Sequence, residues 1–284
     1  MKKGLVLEGG AMRGMFTCGI IDVMMENSIT FDGIVGVSAG AAFGCNYISN
    51  QPGRALRYNM TYCRDKRYCG FRSLIKTGDI YGSEFCYNEI PMKLDPFDFN
   101  AFRGSNTEFH VVCTDVETGE SVYHMCSAED TDSEILDWIR ASASMPLVSK
   151  IVSVGGRNML DGGISDSVPL KYFQNIGYDK NIVILTRPAD YTKSASKMMP
   201  LMHASLRKYP KLAESLAARH EMYNEEIRCV CKAEKRGNTL VLRPDEALPV
   251  KRVERDPQNL KKAYDIGREI CKRRIGEIRT FLEE

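Results

Sequence analysis

The chain has 284 residues with 39 Lys and Arg against 37 Asp and Glu, a net charge of +2, and this near-balance argues against a nucleic-acid binder that depends on a strong overall positive charge. With 43% hydrophobic and 27% charged residues, the composition is that of a soluble globular protein, which excludes the disordered, collagenous and membrane-spanning classes. No segment reaches the roughly 18 consecutive apolar residues of a membrane span, and the length suffices for one large domain or for a domain of about 150 to 200 residues with an appendage. The ten cysteines contain no Cys-x-x-Cys pair, so neither a zinc site nor a disulfide framework is readable. Cys18, Cys45, Cys86 and Cys113 fall in apolar stretches, as free buried thiols do, and the unpaired pattern points to a reducing cytoplasm. The first apolar run stops at Glu8, well short of a signal-peptide core.

In chain order, residues 4–8 form a short apolar run ending in Gly9-Gly10, and 13–27 follow with Met15, Cys18, Ile21 and Met24 at about helical spacing. A second apolar run, 34–37, ends at Ser38 and leads into the small-residue stretch 39–46. Two strand-to-helix units in series imply a parallel sheet with crossover helices. Residues 54–76 carry seven basic residues and one acid, Asp65, interleaved with Tyr58, Tyr62, Tyr68 and Phe71. Further strands are expected at 109–113, 121–124, 151–154 and 181–186, with a helix over 132–141. Turns at Glu117-Thr118-Gly119 and Gly155-Gly156 would let some of these strands pair antiparallel. After Pro188 the texture changes to charged helical patterns over 196–207, 210–235 and 257–282, broken by one strand-like run at 239–243. The expected organisation is an α/β domain over 1–190 and a mainly helical extension over 191–284.

Gly36-Val37-Ser38-Ala39-Gly40 is a G-x-S-x-G sequence at the junction of an expected strand and an expected helix. A serine hydroxyl is a poor nucleophile and has to be presented outward on a tight turn, which the flanking glycines Gly36 and Gly40 permit. Gly9-Gly10-Ala11-Met12-Arg13-Gly14 opens the preceding helix, and successive N–H groups in such a turn form an anion-binding concavity. It does not match a dinucleotide fingerprint, because Ala11 stands at the middle glycine position, and the second strand ends in Ser38 rather than in an acid that holds a ribose. An oxyanion hole fits better, since adjacent parallel strands bring both turns to one sheet edge.

A serine needs a base, and the chain has four histidines, His110, His124, His203 and His220. Only His203 and His220 follow Asp161 in the chain order of an α/β-hydrolase triad, and both lie in charged helical sequence that reads as a solvated face. Asp161, in Leu160-Asp161-Gly162-Gly163 at the end of an apolar run, is the better candidate, although Asp-Gly-Gly is also a hairpin-turn sequence. A carboxylate can accept the serine proton directly.

Four segments in order, Glu8 to Gly14, Gly36 to Gly40, Arg140-Ala141-Ser142-Ala143-Ser144-Met145-Pro146 and Asp161-Gly162-Gly163, resemble the motifs of the patatin-like phospholipases. The resemblance covers about residues 3–190. It implies a three-layer α/β/α fold with a mainly parallel central sheet, and acyl hydrolysis by a Ser-Asp dyad without a catalytic histidine, cofactor or metal. It assigns Ser38 as nucleophile, Asp161 as base and the loop Gly9, Gly10, Ala11, Arg13 and Gly14 as oxyanion hole, with Arg13 at the basic position of the motif. The family loop usually has a third glycine where this chain has Ala11, a methyl group that is tolerated where φ is negative. The residues after 190 look similar to a C-terminal extension of some bacterial patatin-like proteins.

The expected substrate is therefore a lipid or other carboxylic ester, with a non-catalytic acyl-chain binder or an acyltransferase as the alternatives. The basic, aromatic stretch 54–76 reads either as a solvated helix and loop or as a surface that docks on anionic lipid at the inner face of the membrane.

Overall fold

The strand β1 (Lys2–Leu7) is buried from Gly4 onward, as a central strand covered on both faces must be. The computed structural model describes residues 1–196 and 198–283. After β1 come helix α1 (Gly14–Glu26), strand β2 (Gly33–Val37) and helix α2 (Ala39–Ile48), the two expected strand-to-helix units. Helices α3 (Arg54–Tyr62) and α4 (Phe71–Thr77), a π-helical stretch (Phe85–Leu94) and α5 (Phe99–Arg103) lead to β3 (Glu108–Asp115) and β4 (Ser121–Cys126). Then follow α6 (Asp132–Ser142), β5 (Val152–Val154), β6 (Arg157–Asp161), α7 (Leu170–Asn175) and β7 (Tyr178–Ile184). The C-terminal part contributes α8 (Met199–Ser205), α9 (Pro210–Lys235), β8 (Thr239–Leu242), α10 (Pro257–Arg273) and α11 (Ile275–Glu283).

One mixed sheet carries all eight strands in the order β5-β6-β3-β2-β1-β7-β8, with β4 also on β3. Alternation along the strands sorts its faces. Leu5, Leu7, Ile34, Phe109, Ile182 and Leu240 pack against α1, α2, α6, α10 and α11 on one side. On the other, Val6, Val35, Val112, Val183 and Val241 meet Phe173 of α7 and Tyr223 and Val230 of α9. This is the expected three-layer α/β/α arrangement. The chain's C-terminal part wraps the sheet, since α9 covers one face, α10 and α11 the other, and β8 extends the edge beside β7 in parallel. The change of composition near residue 190 is thus crossed by the sheet itself.

The antiparallel strand β6, absent from the sequence reading except as an apolar run, decides where the site lies. β4 pairs with β3 from Phe109 to Thr114 and so fills one edge of it. On the opposite edge β2 is paired only as far as Val112, and β6 takes over from Cys113 to Asp115, running the other way. The C-terminal ends of β2 and β6 therefore meet head to head at Ser38 and Asp161. β6 is turned back from β5 by Gly155 (φ 59°) and Gly156 (φ 71°), a two-residue hairpin turn that needs φ > 0 at both positions. Asp161-Gly162-Gly163 is not a hairpin turn; Gly162–Ile164 form a short 3₁₀ turn capped by the Asp161 side chain.

The expected single helix over 257–282 is broken at Arg274, whose guanidinium reaches back to the Val241 carbonyl at 2.6 Å and pins the break against β8. α10 crosses α1 through two glycines. A Cβ on Gly19 would collide with the Tyr264 carbonyl oxygen, and one on Gly267 with the Phe16 carbonyl oxygen. Beside the crossing, Asp22 accepts from the Tyr264 hydroxyl (2.7 Å) and Arg268 pairs with Glu26 (2.7 Å). Among the described residues no helix is long and apolar enough to cross a membrane.

Candidate active site

Ser38 sits between β2 and α2 with φ 55° and ψ −119°, a conformation that costs an L-residue on the order of 1 to 3 kcal/mol and persists only where the surroundings over-determine it. The surroundings are Gly36, where a Cβ would come within 2.6 Å of Ala41, and Gly40, where one would strike the Leu7 carbonyl. The Ser38 N–H has lost its ladder partner because β2 ends there. It donates instead to the Ser142 hydroxyl (2.8 Å), which itself donates to the Val112 carbonyl (2.6 Å). Ser142 thus bridges the gap in the sheet, a role that its place in the Arg140-to-Pro146 segment does not reveal.

Asp161 is 2% exposed. Its N–H donates to the Ser144 carbonyl (2.8 Å), its carbonyl accepts from Thr114 (2.8 Å), and one carboxylate oxygen accepts from the Gly163 N–H (2.8 Å). Burial raises its pKa above the ordinary aspartate range, opposed by the charge of Arg219, a hydrogen bond from the Ser38 hydroxyl and the Gly163 N–H.

The loop after β1 lies against the serine. A Cβ on Gly9 would stand 2.9 Å from the Ser38 Cβ, and one on Gly10 would stand 2.8 Å from the Thr186 hydroxyl. The N–H groups of Gly9, Gly10 and Ala11 have no acceptor among the described residues. Ala11 has φ 49°, not the negative value at which its methyl is free of cost, so this loop carries a strained alanine where a glycine is relaxed. Gly14 opens α1, where a Cβ would come within 2.7 Å of the Phe43 ring, and it lines neither cavity described below. Glu8, 3% exposed, anchors the loop by accepting from Thr186 and from the Tyr223 hydroxyl (2.9 Å).

Two cavities meet at this point. The larger, about 330 Å³, is mainly apolar, with Met12, Phe43, Tyr58, Ile90 and Leu136 among its walls. The smaller, about 80 Å³, is lined by Arg13, Arg187, Lys193, Arg219 and Arg252 with the carboxylates Glu8 and Asp161. Ser38, Asp161 and Ala11 line both. Burial, with Arg187 nearby, lowers Arg13 to about 10, and burial with Arg219 nearby lowers Lys193 to about 7. Of the five basic residues only Arg13 was legible as a site residue. The other four come from the segment after β7, from α9 and from the loop before α10, and no sequence pattern links them.

His110 is held by Tyr172 (3.0 Å) and Glu108 (3.2 Å), His124 stacks on Trp138, and His220 bonds the Ala217 carbonyl (3.0 Å); none of the three lines either cavity. The His203 side chain lies outside the described residues. His124, Cys126 and Asp130 offer metal-type ligand atoms close together, but His124 is already hydrogen-bonded to Asp130 (3.1 Å) and the group lines neither cavity. The basic stretch 54–76 is partly neutralised, mainly by acids that the fold brings to it. Arg54 and Arg57 pair with Asp95, Arg64 with Asp256, and Arg67 with Asp65 and Glu89. Among the described residues, Lys66, Arg72 and Lys76 have no ion pair.

A mixed sheet between two helical layers, with a strained serine on the turn from strand to helix, defines a three-layer α/β protein. A family model described as patatin-like phospholipase matches residues 5–173, and one for a domain of unknown function (DUF6363) matches 209–283. The chain belongs to the patatin-like phospholipase family. The uncharacterized protein YjjU of Escherichia coli (strain K12) is 30% identical over 213 residues, 69% of this chain and 55% of its own length. Lysophospholipase nte1 of Emericella nidulans is 25% identical over 187 residues, 62% of this chain and 11% of its own. The chain thus spans about half the length of the first relative and a small part of the second. The crystal structure of VipD from Legionella pneumophila aligns with 96% of this chain and 67% of its own at a TM-score of 0.45 and 13% identity.

Proposed function

We propose that the chain is a serine acyl hydrolase that cleaves carboxylic esters of lipids through Ser38 and Asp161. The observation that carries this reading is the head-to-head meeting of β2 and β6, with an outward serine and a buried carboxylate where an apolar and a cationic cavity join. Asp161 takes the Ser38 proton as the hydroxyl oxygen attacks the ester carbonyl. The unpartnered N–H groups of Gly10 and Ala11 stabilise the tetrahedral oxyanion, and the proton passes from Asp161 to the departing alcohol. Water deprotonated by Asp161 then hydrolyses the acyl-enzyme. The acyl chain lies in the 330 Å³ cavity.

A fluorophosphonate probe should label the protein at Ser38, and Ser38→Ala should lose both labelling and turnover of p-nitrophenyl esters while keeping its circular dichroism. Turnover retained by Ser38→Ala overturns the reading. Access to lipid is supported by a narrower surface than the whole of 54–76. On α4, Phe71 (74% exposed) and Ile75 (72% exposed) stand beside the unpaired Arg72 and Lys76, and each basic residue near an anionic membrane contributes about 1 kcal/mol. Flotation with anionic vesicles should carry the protein up, and Phe71→Ser with Ile75→Ser should abolish this. Equal flotation with neutral vesicles removes the claim.

A further inference from the structure

The small cavity gathers five basic side chains against two carboxylates, Glu8 and Asp161. Among the described residues none of Arg13, Arg187, Lys193, Arg219 and Arg252 forms an ion pair. The two carboxylates offset part of this charge from a distance, while their hydrogen bonds go to other groups, Glu8 to Thr186 and Tyr223 and Asp161 to the Gly163 N–H. Arg219 donates to the Gly163 carbonyl, while Arg187 and Lys193 rest over the rings of Tyr191 (4.4 Å) and Tyr223 (4.3 Å). The Arg13 Nε is buried with no partner at all. Burying like charges side by side is unfavourable unless an anion joins them, and guanidinium forks suit phosphate oxygens in particular.

Position adds a second argument. Both cavities reach Ser38, with Arg252 lining each, so when an acyl chain occupies the larger cavity the smaller one, with its basic groups, is left for the alcohol half of the ester. Its 80 Å³ compares with about 10 to 15 Å³ for a single water, which leaves room for a phosphate. A quaternary ammonium would meet four arginines and a lysine against only two carboxylates, an unfavourable balance.

We propose that this cavity is a phosphate site: Arg13, together with Arg187, Lys193, Arg219 and Arg252 from the later part of the chain, binds a phosphate group beside the scissile ester. On the acyl-hydrolase reading, on which this rests, the preferred substrate is an acyl ester whose alcohol ends in a phosphate monoester, ahead of an uncharged or a choline-bearing one. The same chemistry would also hold free inorganic phosphate.

The test has two arms. In the first, inorganic phosphate is titrated calorimetrically into full-length Ser38→Ala at constant ionic strength, alone and combined with Arg187→Gln or Arg252→Gln. Binding is expected, weakened by at least about tenfold in each combined variant. In the second, kcat/KM of the wild type is compared for a monoacylglycerol phosphate, a monoacylglycerol and a monoacyl glycerophosphocholine. A preference for the phosphate monoester of at least about tenfold is expected, shrinking in Arg187→Gln and Arg252→Gln. Phosphate binding that depends on Arg187 and Arg252 without a preference among lipids supports the site and assigns it to free phosphate. The same binding in a protein that hydrolyses no ester sinks the hydrolase reading and leaves the site standing. Failure of phosphate to bind Ser38→Ala, or binding indifferent to both arginine variants, overturns the proposal.

Discussion

On the proposed reading, stability and chemistry pull in opposite directions at Asp161. Burial lifts its folded pKa above that of the unfolded chain, so between the two values the native state holds a proton that the unfolded state has released, and stability falls as pH rises through that window. The ionised carboxylate that a general base requires is therefore an unfavourable state of the fold, held by Arg219, the Ser38 hydroxyl and the Gly163 N–H. Asp161→Asn is expected to raise the melting temperature at pH 7 while lowering kcat/KM by about 10² to 10⁴. In the wild type the acid limb of the pH–rate profile should lie above the ordinary aspartate value of about 3.9. A limb at or below that value contradicts the assignment of Asp161 as base. Ser38 and Ala11 carry the same kind of cost in their backbones, at φ 55° and 49°, and both lie where the two cavities join.

Among elements, the crossing of α1 and α10 has least room to spare. Gly19 and Gly267 let each backbone approach the other's carbonyls, and the Asp22–Tyr264 and Glu26–Arg268 contacts depend on that approach. Gly19→Ala forces the helices apart and is expected to destabilise the protein by about 1 to 3 kcal/mol, read as a lower denaturant midpoint. Since Arg252 precedes α10, the same variant should lose lipid turnover beyond what its residual folded fraction explains. An unchanged midpoint would mean that the crossing adapts at no cost.

For the whole molecule, the sheet and its two helical layers close only with the C-terminal part in place. Without it the face carrying Val6, Val35 and Val183 loses α9, the opposite face loses α10 and α11, and the edge of β7 loses β8. An exposed edge of this kind pairs with other chains, and Glu8 would lose Tyr223. A chain ending at residue 190 is therefore expected to aggregate, as seen by size-exclusion chromatography; a soluble, active product would show that residues 1–190 are self-sufficient.

Local chemistry made much of this legible without coordinates. The alternation of apolar runs with helical spacing identified β1, α1, β2 and α2, and Gly36 and Gly40 around Ser38 announced a tight turn, because a turn demands particular residues within five positions. Gly155-Gly156 marked a hairpin for the same reason. What lay beyond reach depends on contacts between distant segments. The strand Arg157–Asp161 has only Met159 and Leu160 to mark it, and it becomes a strand because β2 leaves an open edge on β3. The positive charge over 54–76 can be counted along the chain, yet its partial offset by Asp95, Asp256 and Glu89 belongs to the packing. The sequence by itself determined the fold class and the candidate serine and aspartate, since both follow from short-range pattern. Only the tertiary structure gathered Arg13, Arg187, Lys193, Arg219 and Arg252 around them, because charge adds up through space and not along the chain.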